Sequence, residues 1–177
     1  VDNDPELYEL AGRVGQKLRA ASARIVTAES CTAGWIAKAL TDVPGSSQWF
    51  ECGYVTYSDA AKQRDLGVSP RTLAEFGAVS EQTVREMAQG ALRVSGADVA
   101  VSVSGIAGPD GGTPEKPVGT VWLCAAARRA QAMHVIAEAE LFLGDRAFVR
   151  SSSVRYALEL VLRLDLPVHA ATPRPGA

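Results

Sequence analysis

A chain of 177 residues, 47% apolar and 21% charged, suits one soluble domain with a well-buried core. Its formal net charge of −2, without any cluster of Lys and Arg, lacks the basic footprint of a nucleic-acid-binding protein, and no stretch approaches the ~20 apolar residues that span a bilayer. The three cysteines, Cys31, Cys52 and Cys124, are scattered and odd in number, and the start Val1-Asp2-Asn3-Asp4-Pro5 is no signal peptide; a reduced, cytoplasmic protein with neither a disulfide framework nor a paired-cysteine zinc site is expected.

The elements alternate. Leu7, Leu10, Ala11, Val14 and Leu18 share one face of a helix over 5–21. The apolar run at 24–28 predicts a short buried strand, and apolar positions 35, 36, 39, 40 and 43 predict a helix over 33–42. Val43-Pro44-Gly45-Ser46-Ser47 is a turn. A strand follows over 50–57, then short helices from Ser58 and from Pro70. Ser80 caps a helix with Val84, Met87, Ala88, Ala91 and Leu92 on one face. A buried strand at 99–106 leads into a Gly/Pro loop over 105–119. Strands at 120–127 and 134–142 read as a hairpin through 128–131, and Asp145 opens a last helix ending near Leu164. Residues 1–165 form the expected single domain and 166–177 a Pro-rich tail. Helix–strand alternation followed by a late hairpin predicts an α/β sandwich around a mixed sheet.

Sites in such sheets form outside the carboxyl ends of parallel strands. Ser30 ends the first strand, Tyr57 the second and Ser104 the third, just before Gly105-Ile106-Ala107-Gly108. A helical side chain leans back towards its N-terminus, so Lys62 reaches the edge that carries Ser30 if these strands are parallel. Ser30-Cys31-Thr32 stands where a strand gives way to a helix, a place that suits a nucleophile, an oxyanion hole or a phosphate, and equally an ordinary N-cap.

Elimination narrows the chemistry. There is no phosphate-binding loop with a Gly-Lys-Ser/Thr end, no dinucleotide fingerprint and no His-Glu-x-x-His. His134 and His169, the two histidines, stand apart from the polar clusters. Cys31 has no evident base, and as a small buried apolar side chain it needs none. Ser30 with Lys62 remains, a variant of the triad logic. A free lysine, with pKa ~10.4, is neutral in only about one molecule in 10³ at pH 7, so burial and nearby positive charge must lower it by roughly two to three units. Read alone, Lys62 is more commonly a solvated helix lysine and Ser30 a cap.

Longer blocks add to this. Ala28-Glu29-Ser30-Cys31-Thr32-Ala33-Gly34, Val43-Pro44-Gly45-Ser46-Ser47, Tyr57-Ser58-Asp59-Ala60-Ala61-Lys62, Gly77-Ala78-Val79-Ser80, Gly105-Ile106-Ala107-Gly108-Pro109-Asp110-Gly111-Gly112, Pro117-Val118-Gly119-Thr120-Val121 and Gly144-Asp145-Arg146 occur in this order. Together they closely resemble the CinA C-terminal domain family, the PncC-type nicotinamide-nucleotide amidases, over roughly residues 6–164. The resemblance implies a three-layer α/β/α sandwich around a mixed, mostly parallel sheet. It implies metal-free, cofactor-free hydrolysis of nicotinamide mononucleotide to nicotinate mononucleotide and ammonia. It casts Ser30 as nucleophile and Lys62 as base. Ser47, Tyr57, Ser104 and Arg146 match positions that assist catalysis or hold substrate, with Tyr57 taken as a proton relay and Arg146 as a phosphate ligand. Thr32, Gly105 and Gly108 belong to the segments 31–34 and 105–108, either of which offers N–H groups to an oxyanion. Ala33 stands where the family usually has Gly, and Ser104 where it usually has Thr. The expected partner is the small-molecule substrate, without nucleic acid or membrane, in a homo-oligomer. Two other readings remain: a catalytically silent nucleotide-binding or regulatory module, and an interaction domain exposing Trp35, Trp49 or Trp122.

Overall fold

The parallel strands on which a converging site depends are present. The computed structural model describes residues 4–129 and 132–166, and its five strands form one sheet in the order β2-β1-β3-β4-β5. β1 (Ile25–Glu29), β2 (Phe50–Val55) and β3 (Val99–Gly105) run parallel, and β4 (Thr120–Arg128) and β5 (Met133–Leu141) extend the sheet as an antiparallel hairpin. The helices are α1 (Pro5–Ala20), α2 (Trp35–Thr41), α3 (Asp59–Leu66), α4 (Pro70–Phe76), α5 (Glu81–Ser95) and α6 (Arg146–Arg163).

Side chains that alternate along the strands divide the core in two. Ile25, Val101, Val103, Leu123 and Ala125 pack with α1, α2 and α6. Val26, Ala28, Ala100, Cys124 and Ala126 pack with α3 and α5. The result is a three-layer α/β/α sandwich. β1, covered on both faces, is buried at every position, which is why it reads as an uninterrupted run. β2 lies at a sheet edge and alternates between half-buried and exposed.

Local signals explain the helix starts. Asp4, Ser58, Ser69, Ser80 and Asp145 each accept a backbone N–H as the N-cap of α1, α3, α4, α5 and α6, respectively. α5 lies against α3 so closely that a Cβ on Gly90 would stand 1.9 Å from the Leu66 carbonyl oxygen. The hairpin tip at 130–131 and the expected tail from 167 onward lie outside the described residues, while Leu166 still packs on the core. Trp49 is not a surface residue: it is 1% exposed and fills the space over Gly15. Trp35 and Trp122 are half-buried.

The chain leaves β1 through α2 on one face and leaves the neighbouring β2 through α3 on the other. Connections that diverge in this way open a crevice between the carboxyl ends of the two strands. Ser30 and Thr56 flank it.

Candidate active site

Ser30 does not cap α2. The N-cap position is Gly34, in the left-handed region with φ 92° and no side-chain cap. Glu29, fully buried at the end of β1, serves the helix start instead. Its Oε2 accepts from the Thr32 hydroxyl at 2.7 Å and from the Gly34 and Ile36 amides at 2.9 and 3.0 Å; its Oε1 accepts from the Ala37 amide at 2.8 Å. A buried carboxylate is tolerable when its oxygens are satisfied in this way, and the positive end of a helix favours it further. The Ser30 hydroxyl is thereby left free of capping duty. The Ser30 amide still extends the sheet, donating to the Val103 carbonyl at 3.1 Å.

The hydroxyl meets Lys62. This side chain is 1% exposed, and its Nζ lies 3.1 Å from Ser30 Oγ and 3.0 Å from the carbonyl oxygens of both Thr56 and Tyr57. Burial pushes the amine below its ordinary value, opposed by Asp59 and then Cys31. The expected positive neighbour is not what lowers it; desolvation acts here without that help. The three partners suit either protonation state. An ammonium donates to all three, whereas a neutral amine gives its two hydrogens to the carbonyls and turns its lone pair towards the Ser30 hydroxyl.

Cys31 lacks the environment of an activated thiol. It is 4% exposed, and burial pushes its thiol up to about 11, so it stays protonated near neutral pH. The backbone around it matters more. Ala33, at φ 52°, turns the chain so that its amide reaches the Ser30 carbonyl at 3.1 Å. The Trp35 amide donates to the Thr32 carbonyl at 3.2 Å, and those of Gly34, Ile36 and Ala37 go to Glu29. Among the described residues, the N–H groups of Cys31 and Thr32 donate to no backbone or side-chain oxygen, the Cys31 N–H meeting only its own sulfur. Unpaired N–H groups beside a serine held by an amine are what an oxyanion site needs. Arg150 of α6 braces this turn: Nε donates to the Cys31 carbonyl and Nη2 to the Thr32 carbonyl, both at 3.0 Å, and the guanidinium stacks over Trp35 at 5.5 Å.

The other candidates separate. Ser104 is 1% exposed at the end of β3, on the α5 face that Ser102 also occupies and one residue beyond the Val103 carbonyl bound by Ser30. Tyr57 gives its backbone carbonyl to Lys62, but its ring is 59% exposed. Its hydroxyl accepts from Arg146 Nη2 at 3.5 Å and makes no bond with Lys62, so the geometry does not form the expected relay. Arg146 Nη1 donates to the Gly108 carbonyl at 2.7 Å, linking α6, the Gly-rich loop and Tyr57 into a rim. Gly108, at φ 79°, and Gly105 have structural reasons to lack a side chain, since a Cβ on either would fall within 2.7 Å of Val118 or Val121. The Thr32 hydroxyl is occupied by Glu29, so what Thr32 offers a ligand is its amide. Ser47 is exposed in a 3-10 turn (Ser46–Gln48) before β2, at the amino end of the sheet, about 16 Å from Ser30 along β1. Within the chain it does not join the group. Glu29 and Arg150 were not among the sequence candidates; an acid just ahead of a helix start was the only visible sign of the first, and none marked the second.

A cavity of about 290 Å³ lies elsewhere, between α1, α2 and the start of α6, lined by Leu7, Tyr8, Trp35 and Phe148 among others; neither Ser30 nor Lys62 borders it. Ser30 and Lys62 meet instead at the crevice beside the strand ends. Among the described residues no set of three or more His, Cys, Asp or Glu could hold a metal ion, and no helix is long and apolar enough to cross a membrane.

Comparison with known proteins agrees with this architecture. Residues 7–164 match the CinA C-terminal domain. The nicotinamide-nucleotide amidohydrolase PncC of Escherichia coli (strain K12) is 56% identical over 156 residues, covering 88% of this chain and 93% of its own. The protein of the same name from Pseudomonas putida is 53% identical, covering 91% of this chain and 98% of its own. The crystal structure of the competence/damage inducible protein CihA from Agrobacterium tumefaciens superposes with a TM-score of 0.85 at 44% identity, over 89% of this chain and 94% of that one.

Proposed function

Because the chain belongs to the CinA C-terminal domain family, we propose that it hydrolyses the carboxamide of nicotinamide mononucleotide to nicotinate mononucleotide and ammonia, with Ser30 as nucleophile and Lys62 as base. The observation that carries this reading is the buried Lys62 amine, held by two carbonyls and directed at Ser30 Oγ.

The steps follow from those contacts. Ser30 Oγ attacks the carboxamide carbon while its proton passes to Lys62 Nζ. Charge gathers on the carbonyl oxygen and is met by the N–H groups of Cys31 and Thr32. As the tetrahedral species collapses, the C–N bond breaks, and the Lys62 ammonium returns the proton to the departing nitrogen, releasing ammonia and leaving a Ser30 ester. Water then enters, gives its proton to Lys62 and attacks the ester carbon. The proton returns to Ser30 Oγ as nicotinate mononucleotide leaves. The Thr56 and Tyr57 carbonyls hold Lys62 in place throughout. Arg146 keeps part of its guanidinium open at the rim and serves the 5′-phosphate, with Tyr57 beside it and Ser104 lining the floor.

The test is ammonia release from nicotinamide mononucleotide by purified protein. Wild type is expected to turn over without added metal, Ser30→Ala to be inert although folded, and Cys31→Ala to keep most activity. An active Ser30→Ala beside an inert Cys31→Ala would reverse the nucleophile assignment.

A further inference from the structure

The Arg150 contacts have a geometric consequence. A peptide unit is planar and trans, so its C=O and N–H point in opposite directions. The Cys31 carbonyl and the Thr32 amide belong to one such unit. Arg150 holds that carbonyl from α6, on the face of the sheet shared with α1 and α2. The Thr32 N–H must then point away from α6, towards the face where Lys62 of α3 approaches Ser30. The neighbouring unit is fixed likewise: the Ser30 carbonyl accepts from Ala33, which sets the Cys31 N–H.

We propose that Arg150 is a positioning residue of the active site, which by holding the Cys31 and Thr32 carbonyls keeps the 31–32 peptide turned so that the Thr32 N–H faces the reacting carbonyl oxygen. This rests on the Ser30 reading given above. The guanidinium suits the task because its planar fork reaches two carbonyls from one side and its face stacks on Trp35. Without it, nothing described on the α6 side holds the 31–32 peptide against a flip, and a flip would present a carbonyl oxygen where the oxyanion needs a donor.

Arg150→Met keeps an unbranched apolar stem but removes both bonds and the stack on Trp35, and Arg150→Lys keeps the charge but replaces the fork with one point donor. For Arg150→Met we expect kcat on nicotinamide mononucleotide to fall about 10²-fold, the usual scale for losing one oxyanion donor. KM should change little, and the ascending limb of the pH profile should not move, because Lys62 is untouched. Arg150→Lys should recover part of the loss. Thermal unfolding of each variant establishes that it is folded; if Arg150→Met is not, Arg150→Lys with a partial kcat defect carries the test. A second readout does not need the substrate: labelling of Ser30 by a fluorophosphonate, followed by intact mass, whose P=O oxygen uses the same donors. Slower labelling in the variants supports Arg150 even if wild type releases no ammonia, an outcome that would discard only the substrate. A folded Arg150→Met with normal kcat and normal labelling would overturn the proposal and leave the amidase reading intact. A displaced pH limb or a defect confined to KM would overturn it too, and so would a wild type that neither turns over nor is labelled.

Discussion

At the scale of single residues, the site trades stability for chemistry. Lys62 is buried with its amine below its ordinary value, so the native state binds its proton less readily than the unfolded chain does. Between the folded value and the unfolded value of about 10.4, the unfolded state holds more protons. The contribution of Lys62 is therefore fully present above the unfolded value and is lost as pH falls through the folded one. We predict that the stability of wild type relative to Lys62→Met rises with pH across that window and is flat below it, as read by denaturant melts along a pH series. Activity should follow the same titration, with an ascending limb below the free-lysine range. Lys62→Arg should lose at least about 10²-fold, since guanidinium cannot accept the proton and general base catalysis contributes 10²–10⁴-fold. Near-normal turnover in Lys62→Arg would remove Lys62 from the base role.

Ala33 is a smaller case. At φ 52° it holds a conformation that costs a non-glycine residue roughly 1–2 kcal/mol, partly offset by the ~0.4–1 kcal/mol that alanine gains over glycine by restricting the unfolded chain. Ala33→Gly should raise stability by up to about 1.5 kcal/mol in chemical denaturation and leave kcat close to wild type. The family likeness, in which glycine is usual here, points to this position, and the positive φ supplies the physical reason.

At the scale of elements, α3 carries Lys62, and its seat is set by Gly90. A Cβ there would stand 1.9 Å from the Leu66 carbonyl oxygen, a backbone atom that cannot swing aside. Gly90→Ala gains about 1 kcal/mol of helix propensity, yet forces α3 away from α5 at an overpacking cost of about 1–3 kcal/mol or more. The expected result is a lower melting temperature together with a lower kcat, because Lys62 moves with α3; a more stable, fully active variant would show that α3 is not seated there. The elements themselves were legible because each carries a local cause: continuous apolar burial for β1, Pro5 after Asp4 for α1, and Ser58, Ser80 and Asp145 as caps. The reach of Lys62 to Ser30 requires parallel pairing of the first three strands, which the structure has. What stayed hidden were partners set by tertiary approach. Arg150 is one helical residue among several arginines until α6 lies across a turn 118 residues away. Ser47 sat in a recognised block, but block order says nothing about which end of a strand a residue reaches. Tyr57 was placed near Lys62 by sequence, and only its backbone went there.

At the scale of the whole molecule, the crevice gathers separate segments: the β1 end, the β2 end with α3, the 105–119 loop and the start of α6. Arg146 joins the last two through the Gly108 carbonyl and faces Tyr57. A rim of this kind suits an anion at one end of a substrate whose amide lies at the other. We predict that nicotinamide riboside is a much poorer substrate than the mononucleotide and that Arg146→Ala narrows the gap, chiefly by weakening the mononucleotide. Comparison of kcat/KM for both compounds in both proteins decides it; an equal drop for the two would assign Arg146 to the loop and not to phosphate.

The brace between α6 and the serine turn also bears on how the enzyme is made. Arg150 follows Ser30 out of the ribosome by 120 residues, a delay of roughly 6–24 s at ordinary elongation rates of about 5–20 residues per second. Over that interval the carbonyls of Cys31 and Thr32 have no Arg150 guanidinium to hold them. On the proposed roles of Ser30 and Arg150, a nascent chain carries a serine that is present but unarmed, and translation has to pass the first turns of α6 before the turn beside Ser30 is braced.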